Sequence, residues 1–189
     1  LLTDSTLFFI SDQDDVWDRE KLAIQSSRFV ANGAEDRPLL VHSDLAVVDE
    51  GLNSIHPSLV KYMDLAPESV SPLNYLLTRN FVTGCAAACN RRLLETALPV
   101  SQNAIMHDWW LALCAGYFGR LAFLPEKLVK YRQHSDNTIG AKSFWHGLNP
   151  FTNWIAGWRR GDEEFISTVK QARAFKEAMA GRLKKDSDA

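Results

Sequence analysis

The chain has 189 residues, 46% hydrophobic and 23% charged, a globular composition long enough to bury one sizeable core. Its net charge of -2, with both signs interspersed, gives no basic footprint for nucleic acid. No apolar run reaches the roughly 20 residues of a membrane-spanning helix. The three cysteines (Cys85, Cys89, Cys114) include no CxxC pair, which suits a reduced, cytoplasmic compartment better than a disulfide framework.

Leu7, Phe8, Phe9 and Ile10 predict a buried strand that runs into the acidic stretch Asp12, Gln13, Asp14, Asp15. Leu1 stands where an initiator methionine would, and a buried strand so near the terminus is expected to take parallel neighbours from preceding sequence. Asp18 is the expected cap of a helix whose apolar face is Leu22, Phe29 and Val30. Residues 39–41 read as a second strand, with 45–48 continuing extended. Residues 50–71 read as a long loop with local turns. Ser71 and Pro72 open a short helix to about Thr78.

Residues 81–89 predict a small-residue strand, after which Asn90 caps a helix to Ala97. Residues 107–118 have helical composition and stop at Gly119, a good residue just past a helix. Residues 121–124 and 128–131 predict two further strands. From Asp162 a long amphipathic helix is expected, with Phe165, Val169, Ala172, Met179 and Leu183 at helical spacing and charges that suit the helix dipole. Strands alternating with helices indicate an α/β chain.

Asp12 and Asp14 share a face in extended chain, and carboxylates concentrated at a strand's end repel one another without a cation. Such strand ends are where open α/β folds place ligands. An EF-hand loop fails: counted from Asp12, the fifth position is Val16, the sixth Trp17 and the twelfth Ala23. A solvated acidic turn accounts equally well for the isolated run. Asp108 begins a predicted helix, where the dipole favours its anion. The flanking Trp109 and Trp110 can raise its pKa by desolvation or stack on a sugar, although a cap beside two core tryptophans explains the same residues. Arg132 and His134 follow a predicted strand and suit phosphate and metal. His42 and Asp44 form a weaker pair.

Taken in order, these segments resemble one family. Phe9 to Trp17 with Glu20, Lys21 and Leu22 is similar to the DxD region of rhamnosyltransferase-like, inverting family 2 glycosyltransferases. His42, Ser43, Asp44 and Asp49 resemble the family's next segment, and Thr83, Gly84 and Cys85 with Asn90 and Arg91 its acceptor-side strand and helix. His107 to Trp110 stands at the place of its acidic motif, and Tyr131 to His134 with Asn137 and Gly140 resembles its closing motif.

The resemblance covers roughly residues 5–141. It implies a partial GT-A (nucleotide-diphospho-sugar transferase) fold: a mixed sheet with flanking helices and a C-terminal helical extension. Residues 1–141 are then a catalytic domain lacking most of its N-terminal nucleotide-binding half. Residues 142–189 form an aromatic segment and an amphipathic helix.

The resemblance also implies a UDP- or dTDP-type sugar donor, Mg2+ or Mn2+, and a saccharide or lipid-linked acceptor in polysaccharide biosynthesis. Carried over by position, Asp12, Asp14 and His134 would hold the metal, and Asp12, Asp15, Arg132 and His134 the donor. Thr83, Gly84, Trp109 and Trp110 would line the acceptor side, and Asp108 would be the general base.

Phe144, Trp145, Phe151, Trp154 and Trp158 suit peripheral contact with the inner face of a plasma membrane, or equally a core or a homo-oligomer contact. Two other classes remain open. One is a non-catalytic carbohydrate-binding or assembly module. The other is a metal-dependent hydrolase built on Asp12, Asp14, His42, Asp44 and His134, though it lacks a compact ligand spacing.

Overall fold

A computed structural model describes residues 5–33, 37–68, 71–133 and 154–187, with side chains of the last stretch over 165–181. His134, Asn137, Gly140 and the side chains of the 144–158 aromatic segment lie outside the described residues. The chain is mixed α/β. Its elements are β1 (Leu7–Phe9), β2 (Val16–Trp17), α1 (Lys21–Ala31), β3 (Leu39–Val48), β4 (Ser54–His56), α2 (Leu59–Tyr62) and α3 (Pro72–Leu76). A 3-10 turn (Gly84–Ala86) leads into β5 (Ala87–Asn90), α4 (Arg91–Ala97), α5 (His107–Phe118), β6 (Arg120–Arg132) and α6 (Trp154–Ser187).

The strands form one curled mixed sheet in the order β1-β5-β3-β6-β2, with β4 on the far end of β3. β3 and β6 run parallel at its centre, and β1–β5, β5–β3 and β2–β6 are antiparallel. β1 takes an antiparallel partner from later sequence, and at the edge of the sheet it is only half-buried. β3 is buried on both faces, which explains its near-continuous apolar run. Leu40 packs with α3, α4, α5 and α6 through Leu76, Leu93, Trp110 and Phe175, while Leu39 and Val41 face Phe29 of α1. Phe175 and Met179 bring α6 into that first cluster.

Several expected elements change. Residues 121–131 form one strand because Pro125 and Glu126 bulge out: the partner of Ser43 is Leu124 and that of Asp44 is Lys127. A bulge is where a sheet tolerates proline. Of residues 81–89 only the end is strand, since Gly84–Ala86 turns. The 50–71 loop holds β4 and α2, the latter capped by the Ser58 side chain.

Asp18 does not cap α1. Its carboxylate accepts the Glu20 amide at 2.8 Å, a local turn, and Glu20 is the cap residue. Leu22 (48% exposed) and Val30 (83%) face solvent, and the buried face of α1 is Lys21, Gln25 and Phe29, at i, i+4 and i+8. α6 starts earlier than expected, and Phe165 (69% exposed) lies off its buried face of Gln171, Phe175 and Met179. Asn90 caps α4 as expected, accepting the Leu93 amide.

Gly119 ends α5 by close approach rather than by a left-handed turn: its φ is -154°, and an added Cβ would lie 1.8 Å from the Pro38 carbonyl oxygen. That oxygen also accepts the Arg120 amide that starts β6, so it has no freedom to withdraw. Gly119→Ala should therefore destabilise the protein by ~3 kcal/mol or more, read from denaturant unfolding, whereas Gly181→Ala, in open space, should not.

Candidate functional site

β1 lies at one edge of the sheet and β2 at the other, so the acidic loop over 10–15 must cross the sheet's end. There it meets the turn Gly84–Ala86. Carboxylate oxygens of Asp12 and Asp15 and the sulfur of Cys85 lie within 4.8 Å of one another. Asp14 is not in this group; its main-chain carbonyl accepts the Arg132 Nε at 2.9 Å.

Arg132 clamps the loop to the end of β6. Its amide donates to Asp15 Oδ1 at 2.9 Å, and its guanidinium reaches the carbonyls of Asp14 and Glu50. The group expected to bind phosphate thus makes main-chain contacts that fix the loop. Among the described residues, Asp15 Oδ2 is buried without a hydrogen-bond partner. Burial pushes the Asp15 carboxyl up from its ordinary range; the adjacent Cys85 thiol and the Arg132 amide oppose this, and Asp14 and Asp12 add to it.

Asp108 reaches the same turn from α5. It is buried, and its Oδ2 accepts the Gly84 amide at 2.8 Å while Oδ1 accepts the Trp109 amide at 2.6 Å and the Asn80 side chain at 3.3 Å. Burial raises its pKa; the charge of His107 and the amides of Trp109 and Gly84 oppose the rise, and Asp12 adds to it. Asp12 and Asp108 therefore share one electrostatic environment. Gly84 sits close under both side chains: a Cβ there would lie 3.2 Å from His107 Nε2, a tight contact, and 3.4 Å from Asp108 Oδ2. Thr83 immediately precedes it, half-buried.

The fold does not bring the two tryptophans to this site. Trp109 Nε1 donates to the Leu76 carbonyl at 2.6 Å and Trp110 Nε1 to the Ala97 carbonyl at 2.9 Å, both rings being core. Buried in the core, the rings offer no open stacking face.

His42 and Asp44 are also elsewhere. His42 is enclosed by Phe81 and Phe123, with ring centroids 5.5 and 5.2 Å away, and Asp44 Oδ1 accepts the Leu45 and Val60 amides. Among the described residues, neither joins the group formed by Asp12, Asp15 and Cys85.

Sequence reasoning missed the parts played by Cys85, Lys21 and Gln25. Gln25 donates to the Ala86 carbonyl at 2.8 Å, pinning the turn from the α1 side. A polar pair at i and i+4 on a helix, flanked by apolar residues that face outward, carried no apolar-periodicity signal. Tyr131 lies close to the cluster, its hydroxyl pushed up to about 12 by burial and by Cys85 and Asp15.

No family profile and no solved structure matches the chain. Three uncharacterized proteins, one of Mycobacterium bovis and two of Mycobacterium tuberculosis strains, are each 27% identical to it over 124 residues. That overlap is 61% of this chain and 33% of each relative, so the chain spans about a third of the length of the curated relatives it matches. No helix among the described residues is long and apolar enough to cross a membrane.

Burial lowers the His42 pKa to about 3, against about 6.5 unfolded. Between those values the unfolded chain holds a proton that the folded chain does not, so this group makes stability fall as pH drops from 6.5 towards 3. Unfolding of wild type and His42→Asn across pH 7 to 4 should show a difference that moves steadily in the variant's favour on acidification; a constant difference would mean His42 is not buried neutral.

Proposed function

We propose that this chain is the catalytic part of an inverting glycosyltransferase of GT-A type, transferring a sugar from a nucleotide-diphosphate donor to a saccharide or lipid-linked acceptor. The observation that carries the reading is the meeting of two acidic groups of different character at one turn. One is the loop pair Asp12 and Asp15, open at Asp12; the other is the buried Asp108, whose proton affinity is raised.

The loop fits Mg2+ or Mn2+, since two hard carboxylates converge and, among the described residues, Asp15 Oδ2 has no hydrogen-bond partner. Asp12 and Asp15 would hold the ion, and His134 lies outside the described residues. Such an ion, when bound, neutralises charge developing on a departing diphosphate.

The chain's own residues supply the other half. Asp108, held by the Gly84 and Trp109 amides, is positioned as a general base for an acceptor hydroxyl. Its raised pKa makes it a better proton acceptor than an exposed carboxylate, while Asp12 nearby discourages a second anion. Gly84 leaves room beside both groups. Arg132 keeps the loop in register with β6, so the carboxylates meet the donor without reorganising.

In the intact protein, Asp12→Asn and Asp15→Asn should each weaken Mn2+ binding by at least ~10-fold, measured by calorimetry with a nucleoside diphosphate present. Asp14→Asn should change it less. Asp108→Asn should leave Mn2+ and donor affinity near wild type and lower kcat by about 10²–10⁴-fold. Loss of donor affinity with turnover of bound donor intact would place Asp108 outside the chemistry. Unchanged Mn2+ binding in both loop variants would remove the loop from the donor site.

A further inference from the structure

Lys21 carries a charge that nothing above explains. It is fully buried on α1, and its Nζ has no hydrogen-bond partner among the described residues. The ammonium instead sits 3.5 Å from the centroid of the Trp17 ring and 5.9 Å from that of Phe9. Aromatic faces are the one kind of apolar surface that attracts a desolvated cation. Phe9 is the last residue of β1 and Trp17 the last of β2, so the two rings stand at the two ends of the acidic loop. Cys85, the third member of the cluster, lies close enough to feel the ammonium's charge.

We propose that Lys21 is a positioning residue that ties both ends of the 10–15 loop together from beneath through its contacts with Trp17 and Phe9, and so fixes where Asp12 and Asp15 stand. Arg132 holds the same loop from the β6 side. A loop that crosses a sheet from edge to edge has no ladder of its own, so side chains must supply its register. The weight of this role for donor binding rests on the reading of the loop as the donor site; the positioning itself does not.

Two rival accounts make opposite forecasts. If Lys21 were only a counter-charge to the carboxylates, removing it would tighten binding of a divalent cation. If only its stem mattered, Met would replace it without effect, since Met packs well on aromatic rings and has a similar helix propensity.

Hydrogen exchange on the intact protein separates them. Lys21→Met should speed exchange of the amides over 10–17 by ~10-fold while β3 and α5 stay as protected as in wild type, and Lys21→Arg, which keeps a stacking cation, should restore protection. Mn2+ affinity, with the metal alone as probe, should fall about 10-fold in Lys21→Met and recover in Lys21→Arg. Wild-type exchange over 10–17 in Lys21→Met, or tighter Mn2+ binding, overturns the proposal. Should Lys21→Met fail to fold, Trp17→Leu removes the ring and leaves the lysine; protection of the loop in that variant would equally overturn it. If wild type binds no Mn2+, the donor-site reading fails and the exchange data still decide the role of Lys21.

Discussion

The turn Gly84–Ala86 is held from opposite layers of the molecule. Asp108 of α5 takes the Gly84 amide, and Gln25 of α1 gives its side-chain amide to the Ala86 carbonyl. Between these two anchors Cys85 faces the acidic loop. Each bond alone is modest, about 1 kcal/mol net for a neutral pair and up to about 3 where a carboxylate accepts. Breaking either would leave a buried polar group unpaired, which costs more than the bond contributes. The layout of the candidate site follows from that double anchoring, because α1 follows the acidic loop and α5 carries the buried aspartate.

The same arrangement explains how unlike acids coexist. Asp12 is exposed, whereas Asp15 is half-buried and Asp108 buried, and desolvation raises the proton affinity of the latter two. The backbone amides on Asp108 moderate its rise and hold the carboxylate in one orientation. Grading of neighbouring carboxylates by environment is how one site separates a proton acceptor from a cation-binding pair.

Much of this geometry was legible in the sequence where local chemistry decides structure. Asn90 caps because its side chain suits an extended residue before a helix, and the apolar run through Leu39, Leu40 and Val41 marks a strand covered on both faces. The acidic run at a strand's end pointed to the candidate site. What was hidden depends on tertiary partners. Nothing local shows that Val16 and Trp17 cross to pair with β6, or that Pro125 bulges rather than breaks. Leu22 and Val30 looked like the core face of α1, yet Lys21 and Gln25 occupy it, because an aromatic ring and a bare carbonyl await them inside. Trp109 and Trp110 could be read as core or, by resemblance, as acceptor-side residues; the carbonyls of Leu76 and Ala97 take their N–H groups into the core.

Under the proposed function, Cys85 bears on which cations the cluster would prefer. A sulfur beside two carboxylates would invite a thiophilic ion if it ionised readily. Here burial and the charges of Asp15 and Asp12 push the thiol well above its ordinary range, and Lys21 opposes them only in part. Without a bound ion the sulfur therefore keeps its proton near neutral pH, and a metal would have to displace that proton to bind it. The oxygen atoms of Asp12 and Asp15 remain, a hard donor pair with positions to spare for water or phosphate oxygens. Mg2+ and Mn2+ keep such ligands, whereas Zn2+ favours nitrogen and sulfur. The neutral thiol adds no third negative charge beside Asp12 and Asp15, which eases their close approach.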